Sequence, residues 1–150
     1  MTRGFFEIGI FRGKDVKNVG TLWRSASQMG ASGIFTVGRR YPNQASDTLK
    51  AFRHIPMREF LDMDAFIAGL PHSCPVVAVE MGGRPLAGFV HPESAIYLLG
   101  AEDHGIPASA LARCHHVISL PSVRTASYNV AVAGSLVMFD RQNKREAWAA

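Results

Sequence analysis

Residues 94–107, SAIYLLGAEDHGIP, decide how this chain is read. The run Ala95, Ile96, Tyr97, Leu98 and Leu99 is apolar and short enough for a buried strand. It breaks at Gly100 into a loop carrying Glu102, Asp103, His104 and Gly105. Glycine at 100 and 105 admits backbone angles or close approaches that a side chain blocks, and Pro107 suits the first turn of a helix predicted over residues 108–114. A strand ending in such a loop is a common wall of ligand crevices in α/β sheets. Standing alone, the stretch reads equally well as a connector with a solvated acidic pair.

Upstream, residues 5–11 (FFEIGIF) read as a strand that runs into a loop bearing Arg12, Lys14 and Lys17. Asn18 has the residue type of a helix N-cap. Val19, Leu22, Trp23, Ala26 and Met29 then recur with helical spacing up to Gly30, and Arg24 lies off that stripe. The unpaired amides at this helix start, with the three cations before it, would seat a phosphate. A second strand, residues 33–37, exits at Gly38 into Arg39, Arg40 and Tyr41, a pairing able to hold phosphate and stack on a base. Helices are expected over residues 43–52 and 59–70, separated at Pro56. Downstream, residues 75–80 (PVVAVE) read as a buried strand leaving into a loop over residues 81–85. Residues 116–120 form another strand, and Pro121 opens a polar loop. A last helix runs from Ser127 or Asn129 to about Arg145, apolar from Val130 to Phe139 and in need of cover on several sides. Strand and helix alternate, which predicts one α/β domain over residues 1–150 with a mostly parallel sheet and helices on both faces.

Composition narrows the function. The chain has 150 residues, 47% of them hydrophobic, a net charge of +4 and two cysteines. No apolar run approaches the ~18 residues of a membrane span, so a reduced, cytoplasmic protein with no membrane partner is expected. Ten of the sixteen Lys and Arg fall in residues 1–58 against three acidic residues, and a basic half favours a polyanion such as nucleic acid. No P-loop, G-x-G-x-x-G or G-x-S-x-G occurs. His72 with Cys74, and Cys114 with His115 and His116, lack a zinc-specifying spacing, so no metal is assigned.

Three blocks at strand exits carry a resemblance. They are Asn18-Val19-Gly20 followed by Arg24, Ala26 and Gly30; Leu99-Gly100-Ala101-Glu102-Asp103-His104-Gly105-Ile106-Pro107; and Ser119-Leu120-Pro121 followed by Ser127-Tyr128-Asn129-Val130-Ala131-Val132-Ala133. In order and spacing they resemble the three motifs of the SpoU/TrmH family of RNA 2′-O-ribose methyltransferases, of the SPOUT class, in its minimal TrmL-like form. The resemblance implies a C-terminal deep trefoil knot and S-adenosylmethionine as cofactor. It implies a cofactor pocket of Val79, Glu80, Met81, Leu99, Gly100, Ile118, Leu120 and Ser127. Arg24, Glu102, Asn18 and Asn129 take the catalytic positions: Arg24 stabilises the developing alkoxide, Glu102 orients Arg24 or braces the glycine loop, Asn18 caps its helix and holds substrate, and Asn129 fixes the third loop. Arg12, Lys14, Lys17, Arg39, Arg40, Tyr41 and Arg124 are the expected RNA contacts. The expected substrate is RNA, tRNA before rRNA, and the expected assembly is a homodimer through the last helix. Departures from the family pattern are Tyr128 for an aliphatic residue, Ala126 for a basic one, and Asp103-His104 in the acidic loop, each bearing on RNA docking. The alternatives are a non-catalytic S-adenosylmethionine- or RNA-binding protein of the same fold, and a base-directed or rRNA methyltransferase.

Overall fold

The computed structural model describes residues 4–38, 55–101, 103–125 and 127–148. Its six strands are β1 (Phe5–Phe11), β2 (Gly33–Val37), β3 (Met57–Phe60), β4 (Val76–Pro85), β5 (Ser94–Gly100) and β6 (His116–Ser119). They form one sheet in the order β3-β2-β1-β5-β4-β6, and every pairing is parallel. The helices are α1 (Val16–Met29), α2 (Met63–Ala68), α3 (Ala108–Leu111) and α4 (Val130–Lys144), with a 3-10 turn at Leu86–Gly88.

Strand alternation sorts the core into two layers. Phe6, Ile8 and Ile10 of β1 and Ala95, Tyr97 and Leu99 of β5 pack with Leu22, Trp23 and Ala26 of α1 and Val130, Val137 and Met138 of α4. Phe11, Ile96 and Leu98 face the other way, against Phe35, Phe66, Val76, Ala78 and Ala110. Helices therefore cover both faces of a sheet buried on both sides, the setting that parallel strands require. Where α4 crosses α1 and β5, Gly134 is needed: a Cβ there would stand 2.6 Å from Leu22 and 2.9 Å from Leu99.

Several expected boundaries move, each for a local reason. The α1 cap is Asp15, whose carboxylate accepts from the Lys17 amide at 2.8 Å; the helix starts at Val16, and Asn18 lies inside it. Its end is as expected, with Gly30 at φ 87°. Glu59 lies in β3, not in a helix, because Met57–Phe60 pairs beside β2, and α2 starts only after the cap Asp62. The expected loop over residues 81–85 belongs to β4: the strand leaves its β6 partner after Val79 and rejoins it at Arg84. The helix expected over residues 108–114 stops at Leu111, and β6 ends at Ser119, one residue before Leu120. In α4, Asn129 is the cap, accepting from the Ala131 and Val132 amides. That helix buries one side, while Val132, Leu136 and Phe139 on the other are 40–49% exposed, so the described chain covers it on one side and not on several. The helix expected over residues 43–52 lies outside the described residues.

At the amino ends of β1 and β5, α4 is locked by charge. The fully buried Arg141 guanidinium donates to the carbonyls of Pro92 and Glu93, both at 2.7 Å, and to the Tyr97 hydroxyl at 3.1 Å, and it lies over the Phe6 ring. His91 bridges Tyr97 and Asp140 at 2.7 Å each, and Asp140 also meets Lys144 at 2.8 Å. Burial pushes the His91 imidazole below its ordinary value despite Asp140.

Candidate active site

At the opposite, carboxyl end of the sheet the strands leave a cavity of about 560 Å³. Its position follows from the register. When β4 leaves the ladder after Val79, residues 80–83 swing out, and the cavity forms between them, the loop that follows β5 and the segment that follows β6. This is the expected crevice beyond the strand ends of an α/β sheet.

Seven of the eight residues expected to hold a cofactor line this cavity: Val79, Glu80, Met81, Leu99, Gly100, Leu120 and Ser127. Ile118 does not; it is fully buried in the layer under α1 and α4. Arg124, expected to meet RNA, also lines it, with Ser122, Thr125 and Tyr128 of the same loop. That loop is held on itself. The Tyr128 hydroxyl donates to the Pro121 carbonyl and the Ser122 hydroxyl to the Thr125 carbonyl.

The glycine loop is tight. The Gly105 amide donates to the Ala101 carbonyl at 2.9 Å, and Gly105 has φ +60°, the left-handed region. A Cβ on Gly100 would meet the Gly105 backbone at 2.8 Å, so the loop folds flat against the strand end. Two anchors hold it, neither expected from the sequence in that role. Glu80 accepts from the Ile106 amide at 2.7 Å and from its neighbour Met81 at 2.9 Å. Lys14, in the loop after β1, pairs with exposed Asp103 and holds that carboxyl below the usual carboxylate range. The acidic residue ending PVVAVE was the available signal for the first anchor, and the opposite charges at two neighbouring strand exits for the second.

The proposed catalytic positions divide. The Asn129 amide group donates to the Asn18 side-chain oxygen at 3.0 Å and so ties the cap of α4 to the first turns of α1. Ser25 and Ser135 touch at 3.0 Å further along, which makes the two helices run side by side in the same direction. Arg24 is exposed on α1 and does not line the cavity of its own chain. Arg12 is exposed beside the β1 exit with its guanidinium over the Phe11 ring, and Lys17 is exposed on α1. Glu102, Arg39, Arg40, Tyr41 and Ala126 lie outside the described residues.

Burial pushes the Cys114 thiol up to about 11 and raises that of Cys74, so neither is a ready thiolate. Among the described residues no three His, Cys, Asp or Glu side chains group to hold a metal, and no helix is long and apolar enough to cross a membrane.

Comparison with known proteins then gives this geometry a family. An uncharacterized tRNA/rRNA methyltransferase of Archaeoglobus fulgidus is 25% identical over 145 residues, covering 93% of this chain and 65% of its own length. A Synechocystis relative with the same description is 24% identical and is covered over 35% of its length, so this chain spans less than two thirds of either. A structure of an AdoMet-bound rRNA methyltransferase from Sinorhizobium meliloti is 25% identical and superposes with a TM-score of 0.82 over 95% of this chain and 57% of that one. A structure concerned with 2-OH methylation of C or U at position 34 of tRNA superposes with a TM-score of 0.85 over 97% and 99% of the two chains. At 22% identity it speaks to the fold alone. The family model for SpoU rRNA methylases matches from β1 almost to the end of α4, residues 6–139, and therefore takes in every strand and loop that builds the cavity. On that match, the chain belongs to the SpoU rRNA Methylase family.

Proposed function

We propose that the protein transfers a methyl group from S-adenosylmethionine to a ribose 2′-hydroxyl of RNA, tRNA ahead of rRNA, and that it works as a homodimer in the cytoplasm. The observation that carries this reading is the single cavity around which seven of the eight expected cofactor positions meet. Its volume of about 560 Å³ suits a ligand of that size, since small-molecule sites run from roughly 300 to 1,000 Å³. The walls also fit: Val79, Leu99, Leu120 and Val130 offer apolar contact to a purine, and Gly82, Gly100 and Gly105 bring backbone to the cavity wall. The rRNA and tRNA methyltransferase descriptions of the relatives support an RNA substrate. The reading carries with it a trefoil knot in the chain from β4 to α4.

When bound, S-adenosylmethionine supplies an electrophilic methyl group on a sulfonium. What remains is to present a ribose oxygen in line and to stabilise its negative charge as the proton leaves. Arg24 takes the second task. A guanidinium with pKa above ~12 is no base at neutral pH but is a strong planar donor to a developing alkoxide, and a substrate phosphate or water accepts the proton. Arg24 lies off the cavity of its own chain, and in the proposed homodimer it would serve the cavity of the second copy. The exposed Val132, Leu136 and Phe139 on α4, with Trp148 packed on Phe139, supply an apolar face on which that copy docks. Asn18 and Asn129 hold the α1–α4 pair that carries both features, and Glu102 orients Arg24 or braces the glycine loop. Phosphates are met by Arg12, Lys14 and Lys17 at the β1 exit, by Arg124 on the cavity wall, and by Arg39 and Arg40, with Tyr41 stacking on a base. The position of Arg24 favours one second reading, a binding protein of the same fold without catalysis.

Calorimetry of the protein with S-adenosylmethionine and S-adenosylhomocysteine, without RNA, tests the cofactor part. One site per chain is expected. Absence of heat at millimolar cofactor contradicts the reading.

A further inference from the structure

Glu80 ends the straight part of β4, where the strand leaves its β6 neighbour. Its side chain stands between two segments that wall the cavity. One carboxylate oxygen accepts from the adjacent Met81 amide at 2.9 Å; the other reaches across to the Ile106 amide at 2.7 Å. Hydrogen bonds from backbone amides to an ionised oxygen are among the strong ones. Ile106 is also the last donor available at that point, because Pro107 has no N–H. Gly105 is pressed on the same carboxylate: a Cβ there would lie 2.2 Å from Oε2. The Gly105 amide closes onto the Ala101 carbonyl, so a bond that pins Ile106 also steadies Gly105 against Ala101. The loop's other anchor, Lys14 on Asp103, is more than half exposed at both ends and exchanges readily with salt or phosphate.

We propose that Glu80 is a positioning residue, acting through the Ile106 and Gly105 backbone to hold the glycine loop as a preformed wall of the cavity before any ligand arrives. This narrows the expectation from the sequence, in which Glu80 contacts the cofactor itself. The role rests on the reading that the cavity takes S-adenosylmethionine. Preforming the wall removes an ordering cost from binding, so loss of the brace should appear as lost affinity.

Two substitutions and two readouts test this. Glu80→Ala removes both acceptors; Glu80→Gln keeps one side-chain oxygen that can still accept. In the ligand-free protein, hydrogen exchange at the Ile106 amide should be slow in the wild type, at least tenfold faster in Glu80→Ala and intermediate in Glu80→Gln. Calorimetry with S-adenosylhomocysteine should show affinity falling in the same order, by about tenfold for Glu80→Ala, with an unfolding midpoint close to wild type. If Glu80→Ala fails to fold, Glu80→Gln carries the test through the same pair of readouts. Affinity that falls while Ile106 stays protected overturns the proposal in favour of direct contact with the ligand. Exchange that quickens while affinity is unchanged overturns it as well, because the loop is then free to move at no cost. A wild type that binds nothing overturns the cofactor reading, and this role with it; a wild type that binds and variants that bind equally overturn the role alone.

Discussion

At the amino ends of β1 and β5 the fully buried Arg141 of α4 bonds the carbonyls just before β5 and lies over the Phe6 ring of β1, whereas at the carboxyl ends of β4, β5 and β6 the same sheet opens onto a cavity bounded by loops. The contrast separates two jobs. Arg141 donates to the Pro92 and Glu93 carbonyls and to Tyr97, and His91, Asp140 and Lys144 extend that network to the Leu86 and Phe89 carbonyls. Around the cavity the glycine loop is fixed at two points, by Glu80 on the Ile106 amide and by Lys14 on exposed Asp103. One end of the sheet thus joins strands to a helix, and the other sets the shape of a wall.

The largest effect should come from the closed end. Arg141→Met removes the buried donor to the Pro92 and Glu93 carbonyls and the Tyr97 hydroxyl, of which Glu93 keeps the Phe5 amide and Tyr97 keeps His91, and should cost on the order of 3 kcal/mol in urea unfolding. Arg141→Lys should recover little, since an ammonium on a flexible stem does not reproduce the guanidinium fork. Cofactor affinity of the remaining folded protein should be unchanged. A large affinity loss at unchanged stability would erase the distinction between the two ends.

Gly105→Ala probes the open end. Its φ of +60° and the nearness of Glu80 force the loop to shift, so S-adenosylhomocysteine affinity should fall more than tenfold while the unfolding midpoint moves much less than for Arg141→Met. Equal affinity for wild type and variant would mean that the glycine loop does not shape the cavity.

The alternation of strand and helix, the α1 stripe and the strand exits were legible because burial imposes periods of two and 3.6 on local sequence. The bulged excursion of β4 was not, because residues 81–85 carry turn-like Gly-Gly and Arg-Pro, while only the partner strand β6 shows that the ladder resumes at Arg84. Glu59 misled for a related reason: a four-residue edge strand has too few residues to display a period. The cap was assigned to Asn18 because Asn and Asp are equivalent cap types, and only backbone geometry selects Asp15. Within the site, the family resemblance placed seven cavity residues, four of them (Leu99, Gly100, Leu120 and Ser127) inside the three motifs, yet the Glu80–Ile106 and Lys14–Asp103 anchors join residues 26 and 89 apart, beyond any local pattern.

A smaller effect separates the two ends by pH. Burial lowers the His91 pKa from its ordinary 6.5, with Asp140, Lys144 and Arg141 as its charged neighbours. The unfolded chain therefore binds the proton more readily than the folded one. Stability from this group is full above about 6.5 and is lost as pH falls below that value through the lowered native pKa. The unfolding midpoint should decline over that window in the wild type and decline less in His91→Gln. A wild-type midpoint flat from pH 7 to 5 would contradict the sign.

The central claim is tested most directly by incubating the protein with methyl-labelled S-adenosylmethionine and unmodified tRNA or rRNA, then hydrolysing the RNA in alkali. A methylated 2′-oxygen cannot attack the neighbouring phosphate, so the account predicts label in alkali-resistant dinucleotides. It also predicts that Arg24→Ala lowers this signal on the order of a hundredfold while calorimetric cofactor affinity holds. Label released in mononucleotides, or no transfer to either RNA by the wild type, would contradict it.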